Sequence, residues 1–272
     1  MSLLIVDADV IAYRAGFATD KTKYLVHNFM GYHEFDNAVD AKKEEGIIWS
    51  RKEAEPEDKA LMLVSVMIGD IRDRFAKENL SLRLYLSGVG NFRNSVATRQ
   101  TYKGNRSGTP QPTHMRAIRE HLIDKGAIAS KGEEADDLIG IAATENPASV
   151  VCSIDKDLMQ LPGRHYNFVT REEETVSQKD AVLNFYTQVI AGDRVDNVPG
   201  CDGYGPVKAR KALEGCKSPY ECWRTALDVY GSVYGADGAT FALETAQLVY
   251  IRRQPGEMWS APTATKTQRE AA

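Results

Sequence analysis

The sequence contains no apolar run long enough to cross a bilayer. Its longest largely apolar run, residues 61–68, is far shorter than the roughly 20 residues that a membrane-spanning helix requires. The apolar start at residues 1–6 has no basic segment ahead of it, which a secretion signal would have. The sequence therefore predicts neither secretion nor membrane insertion.

Cysteine is also scarce, and its spacing is uninformative about disulfides or zinc. The four cysteines show no C-x-x-C pair, and Cys152 lies in a strand-like apolar run where buried free thiols are common. This favours reduced thiols in a cytoplasmic compartment. Internal repeats and low-complexity tracts are absent too. A chain of 272 residues with 43% hydrophobic content can form one elaborated domain or two small ones.

Apolar periodicity predicts strands alternating with helices. We expect strands near residues 3–6, 82–86, 149–154 and 165–169 and helices near residues 10–17, 59–77, 113–125, 134–144 and 178–191. Residues 21–57 give little periodic signal. Alternation of this kind predicts an α/β fold with a mainly parallel sheet, in which functional groups gather at the carboxyl ends of the strands.

Acidic residues stand at or beside these predicted strand ends. The candidates are Asp7, Glu134, Asp136, Asp137, Asp155, Asp157, Asp193 and Asp196. Each group alone has an ordinary explanation, because acids favour helix starts and turns. Their coincidence suits hard cations such as Mg²⁺ or Mn²⁺. The net charge of −4 does not oppose a phosphate substrate, because the chain is net positive once these acids are set aside.

Five segments occur in the order and approximate spacing of the flap-endonuclease/5′-exonuclease family. They are Ile5-Val6-Asp7, Tyr102-Lys103-Gly104-Asn105-Arg106, Gly132-Glu133-Glu134-Ala135-Asp136-Asp137, Ser153-Ile154-Asp155-Lys156-Asp157 and Gly192-Asp193-Arg194-Val195-Asp196-Asn197. The chain resembles that family over residues 7–211, and its short-tailed phage exonucleases in particular. The resemblance implies a PIN-like core at residues 1–177 with an arch near 103–131, then a helix-three-turn-helix module at 178–253. Composition predicts a disordered tail at 254–272.

The same resemblance implies two Mg²⁺ ions, for which Mn²⁺ can substitute. Asp7, Glu134 and Asp136 would hold the ion nearest the attacking water. The other five acids, Asp137, Asp155, Asp157, Asp193 and Asp196, would hold the second directly or through water. One departure from the family pattern stands at Gly88 or Val89, the two candidates for the position where relatives usually carry a metal-binding aspartate.

Further roles follow from the resemblance for basic and aromatic residues. Arg14, Lys103 and Arg106 would act on the scissile phosphate, and Tyr13 and Tyr102 would stack on terminal bases. A glycine-rich hairpin would grip duplex phosphates through Gly203, Gly205, Lys208, Arg210 and Lys211, and the family pattern allows a K⁺ ion on its carbonyls. The extra residue Val207 shifts the usual lysine spacing.

The implied activity is a metal-dependent 5′-3′ exonuclease or flap endonuclease, monomeric and active in phage DNA replication within the host cytoplasm. Its substrates would be double-stranded DNA with a 5′ end, nick or flap, and RNA–DNA hybrids. Prolines and glycine at residues 107–112 predict a flexible arch and hence a preference for exonuclease cleavage. Two alternatives are a haloacid-dehalogenase-type phosphatase, because of Asp7-Ala8-Asp9, and an inactive nucleic-acid-binding remnant.

Overall fold

The computed structural model describes residues 2–264. The strands are β1 (Leu3–Asp7), β2 (Asp20–Asn28), β3 (Gly31–Phe35), β4 (Ile47–Ala54), β5 (Ser81–Val89), β6 (Ile128–Lys131), β7 (Val150–Cys152), β8 (Gly163–Asn167), β9 (Glu172–Val176), β10 (Gly192–Asp193) and β11 (Val198–Pro199). The helices are α1 (Ala8–Thr19), α2 (Ala38–Ala41), α3 (Glu57–Arg74), α4 (Arg93–Val96), α5 (Met115–Asp124), α6 (Ala135–Glu145), α7 (Gln178–Ala191), α8 (Pro206–Ala212), α9 (Pro219–Tyr234) and α10 (Gly238–Val249). None of the helices within residues 2–264 combines the length and apolar character needed to cross a lipid bilayer.

The central sheet has six strands in the order β6-β5-β1-β7-β8-β9. All neighbouring pairs are parallel except β8 and β9, which are antiparallel. Strand β1 is buried along its whole length, as expected for a central parallel strand covered on both faces. The prediction of an α/β fold with a mainly parallel sheet is confirmed.

The chain divides into two compact units. The first comprises Met1–Asp7, Glu78–Thr109 and Ile128–Ala272, and the second comprises Ala8–Lys77 and Pro110–Ala127. This division differs from the predicted boundary at residue 177, because the C-terminal helices belong to the same unit as the central sheet. The Gln160 side chain illustrates the connection, since it donates to the carbonyl of Val249 at 2.9 Å and accepts from the Ile251 N–H at 3.0 Å.

The C-terminal helical region of the first unit has a core of its own. Helices α7, α9 and α10 pack around Tyr230, which is fully buried. Trp259 joins this core, with its ring centroid 4.9 Å from that of Trp223 and 5.8 Å from that of Phe185. Residues 254–264 therefore depart from the predicted disordered tail, and residues 265–272 lie outside the described residues.

The second unit joins three helices to a small antiparallel sheet. Helices α1, α3 and α5 pack together, burying Ile118 and Leu122 of α5 completely. Helix α5 lies within the helix expected at residues 113–125, and the preceding segment 107–112 contains no helix or strand. The sheet has the order β3-β2-β4 and lies within residues 20–54, a region with little apolar periodicity. Nearly every residue of β4 is exposed, so the strand has no buried face to impose an alternating pattern.

Candidate active site

Acidic side chains of the first unit meet at the carboxyl ends of β1 and β7. Asp7 ends β1, while Asp155 and Asp157 follow β7. Asp136 lies in the first turn of α6, and Asp193 lies in the short strand β10 after α7. Five of the predicted ligands are thus assembled from four separate elements, as the sequence patterns predicted.

Short polar contacts fix the orientation of these carboxylates. Ser153 donates to Asp7 at 2.8 Å and its oxygen accepts from the backbone N–H of Asp155 at 3.0 Å. The Gln188 side chain, on α7, donates to Asp157 at 2.9 Å and to Asp193 at 3.3 Å. An amide donor between two acids reduces their repulsion. The sequence carries no signal that separates Gln188 from its neighbours on the helix.

Crowding of like charges shows in the pKa values of three acids. Burial first, and then the charges of Asp7, Asp155 and Glu134, raise the pKa of Asp136 well above its ordinary value. Burial also raises the pKa of Asp155. Burial, with the charges of Asp155 and Asp193, raises the pKa of Asp157 to about 8. Carboxylates destabilised in this way favour a compensating cation, because proton uptake or a metal ion would relieve the repulsion.

Two of the predicted ligands, Glu134 and Asp196, are linked to basic and phenolic groups. The Tyr102 hydroxyl oxygen lies 2.8 Å from a Glu134 carboxylate oxygen and 2.7 Å from an Asp196 carboxylate oxygen, and its single proton is shared between the two acids. The Lys103 ammonium contacts both carboxylates, and the Arg106 guanidinium contacts Asp196. Burial alone would lower the pKa of Lys103, yet the charges of Glu134 and Asp196 outweigh it and raise that pKa. Lys103 and Arg106 thus reach the acidic cluster, as predicted.

Asp137 is not placed to hold a metal ion, which corrects the prediction. Its two carboxylate oxygens accept from the Arg93 guanidinium at 2.7 and 2.9 Å. They also accept the backbone N–H groups of Glu134 at 3.0 Å and Arg252 at 3.1 Å. Asp137 is fully buried, so these donors occupy the oxygens that a metal ion would need.

Tyr102 is likewise unsuited to its predicted stacking role. Only 7% of the residue is exposed, and burial, followed by the charges of Glu134 and Asp196, raises the pKa of its hydroxyl. A ring enclosed in this way cannot offer a face to a nucleic-acid base. Tyr13 and Arg14 lie on α1 of the second unit, where both are exposed and Tyr13 stacks on Phe17 with ring centroids 6.1 Å apart.

The position that lacks an aspartate is closed by a neighbouring strand. The Gly88 N–H donates to the Ser130 hydroxyl at 2.9 Å. A Cβ atom built on Gly88 would lie 1.9 Å from the Ser130 carbonyl oxygen, a distance at which something must shift. The glycine therefore permits close approach of two backbones, and no carboxylate fits at this position without rearrangement.

The predicted phosphate-binding hairpin follows β11. Gly203 has a φ of +77°, which favours glycine, and Gly205 precedes α8, whose first residue is Pro206. Lys208 and Lys211 are exposed, and the Lys208 ammonium lies 3.7 Å from the Tyr204 ring centroid. Arg210 is turned toward α7, where it donates to Asn184 at 3.0 Å. It therefore ties two helices together, which weakens its predicted role in DNA contact.

A wide cleft connects the hairpin with the acidic cluster. Its volume is about 1520 Å³, and its walls include Asp157, Gln188 and Asp193 at one end and Gly203 and Gly205 at the other. A second, small cavity of about 20 Å³ lies among the acids, lined in part by Glu134, Asp136, Asp157 and Asp193. That volume is enough for one water molecule or a single ion.

Comparison with known protein families assigns the chain. Residues 49–187, just over half the chain, match the family described as 5′-3′ exonuclease, N-terminal resolvase-like domain. The chain belongs to the 5′-3′ exonuclease family. The match spans the segments that carry Lys103, Asp136 and Asp155.

Curated relatives include a 5′-3′ exonuclease and several DNA polymerases I. The chain is 34% identical over 131 residues to DNA polymerase I of Rhizobium leguminosarum, matching 42% of this chain and 13% of that protein. It is 30% identical over 130 residues to the 5′-3′ exonuclease of Aquifex aeolicus, matching 42% of this chain and 45% of that protein. The chain thus spans less than half the length of either relative.

Solved structures share the fold of this 5′-3′ exonuclease family member. A mutant T5 5′-exonuclease superimposes with a TM-score of 0.52 at 14% identity, covering 91% of this chain and 84% of that one. T5 5′-exonuclease with bound divalent zinc superimposes with a TM-score of 0.50 at 15% identity, covering 92% of this chain and all of that one. The fold was therefore identified correctly from the sequence.

The carboxylate oxygens of the acidic cluster are chemically suited to divalent cations, although they are not arranged around a single ion position. No group of three or more His, Cys, Asp or Glu side chains within residues 2–264 is arranged to hold a metal ion as it stands. Glu134 and Asp196 instead contact Lys103, and Asp137 contacts Arg93. The raised pKa values of Asp136, Asp155 and Asp157 nevertheless indicate carboxylates that lack enough positive charge nearby. Oxygen donors of this kind suit Mg²⁺ or Mn²⁺.

Proposed function

We propose that this chain is a divalent-metal-dependent 5′-nuclease that hydrolyses phosphodiester bonds near the 5′ ends of DNA. One observation carries the proposal: a cluster of partly buried, mutually repelling carboxylates lies at one end of a cleft whose other end is a glycine-rich, lysine-bearing hairpin. A phosphodiester backbone fits both ends, because its phosphates need cations near the cleavage site and donors along the bound duplex.

Five acids would hold the metal ions: Asp7, Asp136, Asp155, Asp157 and Asp193. When bound, two divalent cations supply a water molecule of lowered pKa and charge compensation for the scissile phosphate. Ser153 and Gln188 keep the carboxylates oriented through the hydrogen bonds described above. No residue has to act as a covalent nucleophile.

Basic residues next to the acids would position the phosphate. Lys103 and Arg106 lie where an ammonium and a guanidinium can contact a phosphate oxygen beside the metal ligands, offsetting charge that develops in the transition state. Lys103 has a φ of +53°, so its backbone is held in a conformation that few non-glycine residues adopt. Arg14 and Tyr13 on α1 are proposed to contact the 5′ strand.

Finer features of the function are proposals of the same kind. They comprise Mg²⁺ as the working ion, a K⁺ ion on the hairpin carbonyls, RNA–DNA hybrids among the substrates, a monomeric state, and action in phage DNA replication in the host cytoplasm. The preference for exonuclease over flap cleavage rests on residues 107–112, which contain no helix or strand. Product mapping on end-labelled blunt, nicked, flap and hybrid substrates decides between short products and release of an intact flap.

Asparagine variants of two metal-binding acids test the proposed activity. Asp155→Asn and Asp193→Asn remove a charge but keep an oxygen that can accept the backbone N–H of Asp157 or Val195, so the local turns should persist. We expect Mg²⁺-dependent cleavage of an end-labelled duplex to fall by at least about a hundredfold, with melting temperature and duplex affinity nearly unchanged. The matched control is Asp228→Asn, an exposed acid on α9. Near-normal cleavage by both cluster variants would show that the cluster is not the catalytic site.

A further inference from the structure

Arg99 reaches from the segment after α4 to the backbone of the glycine-rich hairpin. Its guanidinium donates to the Pro199 carbonyl at 3.0 Å and to the Gly200 carbonyl at 3.4 Å. These carbonyls belong to the turn that leads from β11 to Gly203. A single side chain thus supplies positive charge to two neighbouring carbonyl oxygens just before the proposed phosphate contacts.

The guanidinium is held firmly in this position. It lies over the Phe241 ring at 4.4 Å and over the Tyr234 ring at 5.4 Å from the respective centroids. The buried Glu244 carboxylate accepts the backbone N–H groups of Thr98 at 2.8 Å and Arg99 at 2.9 Å. Because both the backbone and the side chain are fixed, little conformational entropy is lost when the guanidinium contacts the carbonyls.

Close packing and neutral hydrogen bonds also hold the turn at Pro199 and Gly200. A Cβ atom built on Gly200 would lie 2.2 Å from the carbonyl carbon of Ala191, so the turn is pressed against the end of α7. The Pro199 carbonyl also accepts from Thr245 at 3.0 Å, and the Tyr234 hydroxyl accepts the Asp202 N–H at 3.0 Å. Arg99 supplies the only formal positive charge among these contacts, and carbonyl dipoles that converge are stabilised by a cation.

We propose that Arg99 is a positioning residue for duplex binding, acting as a built-in cation that holds the hairpin in its DNA-binding shape. The inference rests on the proposed function, because it takes the hairpin to be the duplex contact. Arg99 itself need not touch DNA, so its effect should appear in duplex affinity rather than in the rate of the chemical step.

The test is chemical rescue of Arg99→Ala, with Arg224→Ala, an exposed arginine on α9, as the matched control. Affinity for a blunt duplex is measured in EDTA, where cleavage does not interfere. We expect Arg99→Ala to weaken binding about tenfold, as the loss of charged hydrogen bonds implies. Added guanidinium, compared with tetramethylammonium at equal ionic strength, should restore most of the affinity. In steady-state cleavage over a range of duplex concentrations with Mg²⁺, kcat should change less than KM.

Two results would overturn the proposal. They are unchanged duplex affinity in Arg99→Ala and a folded Arg99→Ala protein that guanidinium does not rescue. If Arg99→Ala does not fold, Arg99→Lys replaces it in the test. This variant keeps the charge but cannot donate to both carbonyls in the guanidinium geometry, so it should show a smaller loss of duplex affinity. Duplex affinity equal to that of the wild type would then contradict the proposal. Because binding in EDTA is independent of cleavage, an inactive wild-type enzyme would refute the proposed function without deciding this test.

Discussion

Replacing Arg93 with methionine should destabilise the first unit severely. The Arg93 guanidinium makes two hydrogen bonds with Asp137 and donates to the carbonyls of Leu248 at 2.8 Å and Tyr250 at 2.7 Å. Arg93 is 2% exposed and Asp137 is fully buried. Removing the cation leaves a buried carboxylate without its charged partner, which typically costs about 3–5 kcal/mol of unfolding free energy. A loss of that size is a large fraction of the stability of an ordinary domain.

The magnitude can be checked by urea denaturation followed through tryptophan fluorescence, since Trp223 and Trp259 report on the adjoining helical core. The double variant Arg93→Met with Asp137→Asn removes both charges while keeping an acceptor for the Glu134 N–H, so it should recover at least about 2 kcal/mol relative to Arg93→Met. Arg83→Met, at an exposed site on β5, should stay within about 0.5 kcal/mol of wild type. A loss under about 1 kcal/mol for Arg93→Met, or no recovery in the double variant, would refute the buried-charge reasoning.

Three further outcomes are expected from the site. Because the folded-state pKa of Asp157 is raised to about 8 from 3.8, the folded protein binds more protons than the unfolded chain between those pH values. In EDTA, calorimetry should therefore show a melting temperature that falls as pH rises through that range. Added Mg²⁺ should raise the melting temperature most at the upper end of the range. Lys208→Ala with Lys211→Ala should weaken duplex binding for all sequences alike and reduce the slope of log affinity against log salt by about two, and an unchanged slope would place the hairpin off the DNA. Gly88→Asp should lower the urea midpoint without tightening Mn²⁺ binding in calorimetric titration, because its Cβ would meet the Ser130 carbonyl; tighter Mn²⁺ binding would contradict this.

The sequence predicted the location of a site residue where that location depends only on the strand or helix that carries the residue. Asp7 and Asp155 stand at strand ends, and parallel strands place such ends at one edge of a sheet, so their proximity could be predicted. Asp137 and Asp136 both follow Glu134 in the first turn of α6. The Glu134 N–H contact of Asp137 is local to the helix start, but the contact with Arg93, 44 positions away, that occupies its carboxylate could not be predicted from the sequence.

Burial and long-range packing account for the remaining differences. The family resemblance implied a stacking role for Tyr102, yet its hydroxyl contacts two acids from distant segments. Trp259 follows a stretch rich in small and polar residues, but its ring fills a gap between Phe185 and Trp223. Each case depends on partners more than 30 positions away, which local periodicity does not record.

The position of β1 in the sheet means that this strand is synthesised well before either of its partner strands. This strand lies between β5 and β7, pairing Leu3 with Ser81 and Leu4 with Val150. At a synthesis rate of about 5–20 residues per second, its first partner emerges from the ribosome several seconds later and its second later still. During that interval the apolar strand β1 has unpaired backbone N–H and C=O groups on both edges, and these can pair with other chains. Holdase binding to this segment, or a slowed rate of translation before β5, should therefore change the yield of native protein more strongly than equal changes downstream of β7.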